Sequence, residues 1–403
     1  MPMISLNGRT TTYALVFCFA LMLRLGWIAL EPLLAPGFAN PLRGDAVDYD
    51  ALAQSLVAGR GFTINGEPTA FRAPGYPFFL ALVYWTFGHN ILIVQIVQAF
   101  MSTLAVMLTM YLGELVGGRR IALLSGIGAA GYHYFFYVSA WLVSETLFLF
   151  LWVIGLVLLT RFIQRGQFLP LLWSGIAFGL ATLTRPATLL AVLLWSGVGW
   201  LALRPRRVWG ILLMATLLTI LPWTIRNWFV FDTFVPVSTN SGYVFYGANN
   251  SDAIGGQREG FPLWLPHLSE PERDREYIRQ ALTWITAHPA EFVNLLPKKL
   301  ARLWSPLSIS SADRPLETRF DGLIYPFWMI FLALAMWGCA IAFKREAKTA
   351  TILTVPLIAT NLTALIFFGS TRYAVPMVPS LLIFAAFATD ALICLILARV
   401  RGT

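Results

Sequence analysis

The strongest constraint on this chain is a succession of apolar runs, each long enough to cross the hydrocarbon of a bilayer. They cover 13–30, 91–112, 121–140, 141–160, 168–184, 187–203, 208–229, 323–343, 349–368 and 373–398. Backbone N–H and C=O groups in lipid must be satisfied internally, so runs of this length are read as helices. The fold class expected is an all-α polytopic bundle of about ten spans. Composition agrees: 58% of the 403 residues are hydrophobic and 12% are charged, about half the charged share of a soluble domain. A net charge of +9 would suggest nucleic acid in a soluble protein, but here Lys and Arg fall in short clusters between apolar runs. No nucleic-acid partner is expected. The first run is longer than the core of a signal peptide and lacks a small-residue cleavage site, so it is read as a retained span. Cys18, Cys339 and Cys394 lie in apolar runs without CxxC or Cys/His spacing and suggest neither disulfides nor zinc.

The basic clusters decide orientation. Arg119 and Arg120, Arg161 and Arg165, Arg204 with Arg206 and Arg207, Lys344 with Arg345 and Lys348, and Arg399 with Arg401 occupy every second connection. The positive-inside rule puts these connections and both termini in the cytoplasm. Facing outward are then 31–90, the turn near Trp141, the break at Arg185-Pro186, 228–321 and the turn 369–372. The localisation expected is a cytoplasmic (inner) membrane with the active site on its outer face. Three regions follow: 1–229 as an N-terminal membrane module with its first outer loop at 31–90, 230–321 outside, and 322–403 as C-terminal spans.

Two outward segments are long. In the first, Tyr49, Leu52, Ala53 and Leu56 recur at helical spacing, with Asp45 placed to cap the helix and Gly59 to end it. A second helix, 76–87, is too short to span and rich in aromatics. The later segment reads as a turn-like stretch, 238–256, and then two helices. Ser269 and Glu272 form a capping box for the first, and His288-Pro289 separates it from the second. No internal repeat is visible.

Charge at a membrane boundary demands a reason. The outward set comprises Asp45 and Asp48 in Gly44-Asp45-Ala46-Val47-Asp48-Tyr49, Arg72 in Phe71-Arg72-Ala73-Pro74-Gly75-Tyr76-Pro77, Glu145, Arg185, Arg226, Lys298, Lys299 and Arg372. Carboxylates and several cations at one depth suit phosphate-linked group transfer. A carboxylate takes the proton of an acceptor hydroxyl, and Arg or Lys stabilises a departing phosphate. Blander roles compete at each position. Asp45 suits a helix cap, and Asp48 a helix dipole. Glu145 suits a wetted boundary, Arg226 and Arg372 suit snorkelling anchors, and Lys298 and Lys299 suit a solvated face. Arg24 and Asp390, deep in the first and last spans, are read as a structural lock, paired with each other or with polar neighbours, with lining of a lipid path as the alternative, and His133 as bonded to a carbonyl.

Five motifs in order carry a resemblance: Gly44-Asp45-x-x-x-Tyr49, Arg72-Ala73-Pro74-Gly75-Tyr76-Pro77, Leu183-Thr184-Arg185-Pro186, Pro222-Trp223-Thr224-Ile225-Arg226-Asn227 and Ser370-Thr371-Arg372-Tyr373. The chain resembles bacterial glycosyltransferases of the GT-C superfamily, specifically the group related to protein mannosyltransferases and the aminoarabinose transferases of lipid A. The resemblance implies a polyprenyl-phosphate sugar donor, a glycan, lipid or protein acceptor, and inversion at the anomeric carbon. It implies Asp45 as general base and Glu145 as a second acidic residue for acceptor or ion contacts. Arg185, Arg226, Lys299 and Arg372 match basic positions for the donor phosphate, with Tyr49, Arg72, Tyr76 and Tyr373 beside them in the motifs as substrate-binding candidates. Where aminoarabinose transferases carry an acidic residue before the proline of the first-loop motif, this chain has Arg72. No tightly bound metal is therefore expected, although one or two carboxylates are compatible with a labile divalent ion. The chain ends just beyond the tenth run, so an extra terminal domain is not expected, and acceptor specificity is assigned to 238–302. A transporter or flippase would instead line a midplane path between repeats. A non-catalytic scaffold is the third alternative.

Overall fold

The computed structural model describes residues 8–34, 42–203, 205–256, 265, 267–306 and 321–400. Arg204, Arg401 and the parts of the outer segments at 35–41 and 307–320 lie outside the described residues. Helix accounts for nearly all of the regular structure. The helices are α1 (Gly8–Leu34), α2 (Asp45–Val57), α3 (Gly75–Phe87), α4 (Ile91–Gly117), α5 (Arg119–Gly131), α6 (His133–Tyr137), α7 (Glu145–Arg165) and α8 (Phe168–Thr184). They continue with α9 (Thr188–Ala202), α10 (Trp209–Phe231), α11 (Ser241–Ala248), α12 (Glu270–Ala287), α13 (Pro289–Leu303), α14 (Asp321–Arg345), α15 (Ala347–Ile366) and α16 (Val378–Val400). Two-residue strands β1 (Thr63–Ile64) and β2 (Glu67–Pro68) form an antiparallel hairpin through Asn65 and Gly66, both at positive φ.

Among the described residues seven helices are long and apolar enough to span a membrane: α1, α4, α7, the α10 segment, α14, α15 and α16. The protein is a multi-pass membrane protein. Helices α8 and α9, with 17 and 15 residues, are apolar but short. The run 121–140 is not one span. Helix α5 stops at Gly131, Tyr132 is extended, and α6 adds five residues before the turn into α7. Glycines at 126, 128 and 131 weaken that helix from within. The segment 238–256, read as turn-like, contains α11, which packs on α12. The Ser269–Glu272 capping box forms as the sequence indicates, with the Ser269 N–H donating to Glu272 at 2.9 Å.

The bundle pairs α4 with α5 and α7, α8 with α7 and α10, and α14 with α16. Its core is an aromatic column in which Trp195 packs between Trp152 (5.3 Å) and Phe178 (4.7 Å). Both indoles find acceptors, Trp152 on the Pro376 carbonyl (2.8 Å) and Trp195 on that of Ile352 (3.0 Å), so burying them leaves no orphaned donor. Phe148 stacks on Trp152 one turn nearer the helix start. The column ends there, under the starts of α7 and α9 and the turn before α16.

The deep charges do not pair with each other. Arg24 is fully buried and donates to Ser102 Oγ (2.8 Å) and the Ala20 carbonyl (2.9 Å), while Asp390 lies 3.6 Å from Arg120. Arg24 is thus held within its own turn and by the neighbouring α4, not by the last span. His133 hydrogen-bonds to the backbone of Pro306.

Candidate functional site

At the end of the bundle capped by the aromatic column, five separate stretches bring ionic side chains together. Asp45 is the first residue of α2, whose N-cap is Gly44, and no side chain caps this helix. The carboxylate expected to cap therefore points elsewhere. It lies 2.9 Å from Arg72 and 3.0 Å from Arg372. Arg72 also reaches Asp48 at 2.8 Å, so one guanidinium bridges two carboxylates three residues apart in the first turn of α2. Arg372 bridges likewise, between Asp45 and Glu145. Glu145, fully buried at the start of α7, has Arg185 2.9 Å away as its second cation. The resulting chain runs Asp48, Arg72, Asp45, Arg372, Glu145, Arg185.

Aromatic rings line this chain. Arg72 sits over Tyr49 (5.6 Å), and Arg185 over Tyr373 (5.6 Å) and Phe148 (5.8 Å). Tyr49 meets Tyr76 edge to face at 5.0 Å, and the Tyr76 hydroxyl donates to Gln98 at 2.7 Å. Eight of the ten sequence-derived positions thus converge: Asp45, Glu145, Tyr49, Arg72, Tyr76, Arg185, Arg372 and Tyr373. Asp48, assigned a dipole role from sequence, joins them through Arg72.

Two positions stand apart. Arg226 donates to the carbonyls of Thr69 (2.8 Å) and Phe62 (3.2 Å) and lies over the Trp223 ring at 4.8 Å, which fastens the β1–β2 loop to α10. Lys299, fully buried, donates to Asn249 Oδ1 (2.7 Å) and to the Leu365 carbonyl (3.0 Å) at the C-terminal end of α15. A cation suits those unpaired carbonyls and the helix dipole. Burial pushes its ammonium down to about 8.

Backbone proximity explains how remote motifs meet. A Cβ on Gly75 would lie 2.5 Å from Thr184 Oγ1 and 3.0 Å from the Leu183 backbone, so glycine lets the Arg72 motif rest on the Arg185 motif. A Cβ on Gly369 would lie 1.7 Å from the Lys299 carbonyl, so the turn carrying Arg372 is pressed onto α13. Lys299 thereby supports the site through its backbone and helix.

Electrostatics set the protonation states. Burial pushes the Asp45 carboxyl up, but the charges of Arg372 and Arg72 outweigh it and hold the group at about 2. Tyr49 is pushed up by burial and stays a phenol. Glu145 spends Oε1 on its two arginines, while Oε2 is buried without a hydrogen-bond partner among the described residues.

Residues 71–225 match the model of dolichyl-phosphate-mannose-protein mannosyltransferases. No curated protein matches the chain in sequence. In three dimensions it is similar to the Archaeoglobus fulgidus oligosaccharyltransferase AglB, solved with an inhibitory peptide and a dolichol-phosphate. The TM-score is 0.59 at 14% identity, over 98% of this chain and 51% of AglB. ArnT from Cupriavidus metallidurans bound to undecaprenyl phosphate gives 0.52 at 14% identity, over 95% of this chain and 59% of ArnT. The fold is the GT-C fold. The chain spans between half and three-fifths of the length of these proteins. Within this GT-C bundle, Arg72, Tyr76, Glu145 and Arg185 fall inside the family-matched stretch, while Asp45, Arg372 and Tyr373 reach the cluster from outside it.

One AglB structure carries zinc and sulfate. The residues of this ionic cluster do not fit a metal as arranged. The Arg72 guanidinium occupies the space between Asp45 and Asp48, and Glu145 Oε1 is taken by two arginines. Among the described residues no three His, Cys, Asp or Glu side chains converge in the manner of a metal site.

Sequence reading missed Phe71, Phe148 and Tyr243 as neighbours of the cluster. Phe71 was visible beside Arg72. The contact of Tyr243 with Phe71, at 6.2 Å, joins segments 172 residues apart and left no local signal.

Proposed function

We propose that the protein transfers a sugar from a polyprenyl-phosphate donor to an acceptor hydroxyl on the outer face of the cytoplasmic membrane, with inversion at the anomeric carbon. The observation that carries this reading is the shared bridge of Arg372 between Asp45 and Glu145, flanked by Arg72 and Arg185. The site thus combines two carboxylates with three guanidiniums able to grip phosphate oxygens in pairs. The family match and the GT-C neighbours favour a lipid-phosphate donor over other anions.

The acceptor oxygen forms a bond to the anomeric carbon while the bond from that carbon to the phosphate oxygen breaks. The electron pair leaves with polyprenyl phosphate, and the acceptor proton passes to the Asp45 carboxylate. Arg185 and Arg372 stabilise the charge gained by the phosphate. Glu145 holds Arg185 and Arg372 in position beside the phosphate and the acceptor.

A carboxyl held at about 2 is a weak base. A donor phosphate competes for Arg372 and Arg72, and each guanidinium drawn away from Asp45 restores basicity. Donor binding thus activates the base. Lys299 and Arg226 act on the site as supports.

Purified protein in detergent is incubated with polyprenyl-phosphate sugars and release of polyprenyl phosphate is followed. Wild type is expected to turn over, and Asp45→Asn to lose about 10²–10⁴-fold in rate while binding donor at least as tightly, because Arg72 and Arg372 lose their competing carboxylate. Unchanged turnover in that variant removes Asp45 as base. Absence of turnover with every donor and acceptor offered favours a transporter or scaffold.

A further inference from the structure

The chain leading into Arg72 is neither helix nor strand, yet its backbone is bonded at every step. The Thr69 N–H donates to the Phe62 carbonyl (3.3 Å), and the Thr69 carbonyl accepts from Arg226 (2.8 Å). The Ala70 N–H donates to Glu270 (2.7 Å), and the Ala70 carbonyl accepts from the Thr239 N–H (3.0 Å). The Phe71 N–H donates to Thr69 Oγ1 (3.0 Å). Connections are ordinarily the mobile parts of a fold, so a loop pinned from other segments in this way points to a side chain whose place matters.

Glu270 is the hub of these bonds. It is the first residue of α12, where a carboxylate suits the helix dipole. The end of that helix is already capped by Ser269 and Glu272, and the Glu270 side chain turns to other parts of the chain. Its Oε1 accepts from the Ala70 N–H and from the Thr239 hydroxyl (2.5 Å), and its Oε2 accepts from the Thr69 hydroxyl (2.6 Å). Thr69, Ala70 and Thr239 are buried, so water competes poorly for these bonds, and an ionised acceptor strengthens each of them. One turn on, Asp274 accepts from the Gly242 N–H at 2.6 Å, and a Cβ on Gly242 would lie 2.0 Å from the Asp274 carbonyl. Helix α11 is thereby pressed onto α12. One carboxylate of α12 holds α11, and the other holds the loop before Arg72.

From Ala70 the chain needs two residues to reach Arg72, whose guanidinium lies 2.9 Å from Asp45 and 2.8 Å from Asp48. On the far side, Gly75 rests against Thr184 and Leu183. Glu270 and Gly75 therefore bracket the arginine.

We propose that Glu270 is a positioning residue of the ionic cluster: through hydrogen bonds to Thr69, Ala70 and Thr239 it holds Arg72 against Asp45, and so gives the outer helices α11 and α12 a grip on the proposed base. The consequence for Asp45 as base rests on the transfer reading above; the hold on Arg72 does not.

The test is phenylglyoxal modification of the full-length protein in detergent, read for each arginine by mass spectrometry. Arg372 is the internal control, because Asp45 and Glu145 hold it without help from Glu270. A guanidinium that swings clear of its carboxylates is open to the reagent, so Arg72 should react roughly fivefold faster or more in Glu270→Ala, with Arg372 unchanged. Glu270→Gln keeps an acceptor for the Ala70 N–H, and the threonine hydroxyls can turn to suit an amide, so this variant should stay within about twofold of wild type. Equal Arg72 reactivity in wild type and Glu270→Ala overturns the proposal. So does equal acceleration at Arg72 and Arg372, the mark of a loosened fold, or a Glu270→Gln variant that behaves as Glu270→Ala. Thermal midpoints report folding. If Glu270→Ala does not fold, the double variant Thr69→Val and Thr239→Val, which removes both hydroxyl donors, is read in the same way. The pH profile of kcat/KM supplies a second readout. With Arg72 released, Asp45 loses one of the charges that hold it down, so an acid limb should emerge at about pH 3–4 in Glu270→Ala. The limb should coincide with that of Arg72→Ala and rise no further when the two substitutions are combined. A faster-reacting Arg72 without that limb sinks Asp45 as base and leaves the hold on Arg72 standing. Turnover with Arg72 equally reactive in wild type and Glu270→Ala sinks the hold alone.

Discussion

Replacing Glu145 by Gln isolates what the buried carboxylate contributes. The side chain is fully buried and is the only carboxylate within ion-pair distance of Arg185 among the described residues, whereas Arg372 keeps Asp45. Removing one partner of a buried pair costs about 3–5 kcal/mol, because the other charge is left without compensation. Gln retains a carbonyl acceptor and Arg372 retains a carboxylate, which places the expected loss at the lower end, about 3 kcal/mol. With an unfolding entropy of about 2 cal/mol/K per residue, the thermal midpoint falls by on the order of 4 °C. The assay is thermal unfolding in detergent followed by tryptophan fluorescence, with and without polyprenyl phosphate. An anion that binds the arginines replaces the missing charge, so the ligand should raise the midpoint of the variant more than that of wild type. Identical midpoints without ligand would refute the energetic argument. A ligand shift present in wild type and lost in the variant would refute the assignment of Arg185 and Arg372 to the phosphate.

Further outcomes follow from the same geometry. Asp45 is ionised in the free protein down to about pH 3, so the pH profile of kcat/KM should carry no acid limb from this residue above that value; a limb near neutrality that moves in Asp45→Glu contradicts the arginine clamp. Lys299 is held at about 8, below the ordinary lysine value, so between pH 8 and 10.5 the unfolded chain binds more protons and stability rises with pH. Chemical denaturation across that window should show the rise in wild type and its loss in Lys299→Gln, and parallel curves would rule it out. Gly369→Ala puts a methyl group 1.7 Å from the Lys299 carbonyl unless the turn moves, so turnover should fall at least tenfold while polyprenyl-phosphate binding also weakens; wild-type kinetics would show that the turn tolerates displacement.

The spans and the grouping of charges at one end were readable because both depend on local sequence, through apolar run length and the alternation of basic connections. Eight of the proposed residues converge because their motifs lie at the same ends of antiparallel helices. Arg226 and Lys299 share that end, but their partners are the backbone carbonyls of Phe62, Thr69 and Leu365 and the side chain of Asn249. No spacing rule reports on a carbonyl contributed from another segment. The choice between cap and ion pair at Asp45 was equally hidden. It depends on Arg72 and Arg372, the second lying 327 residues away. The break at Gly131 was written in its glycines but masked by the hydropathy of the run around them. The Asn65-Gly66 dipeptide is an ordinary hairpin signal, and the two-residue strands it joins are too short to show an alternating pattern.

The short helices α8 and α9 have a bearing on how a lipid substrate reaches the cluster. Seventeen and fifteen residues rise about 26 and 23 Å, whereas hydrocarbon is about 30 Å thick. Their junction carries Arg185, and its cation is therefore anchored below the level at which the 27-residue helices α1 and α4 can end. A bilayer meeting this hairpin must thin locally or draw headgroups inward. On the proposed transfer reading, the phosphate of a long-chain donor would enter sideways at that depth, with its tail still in hydrocarbon.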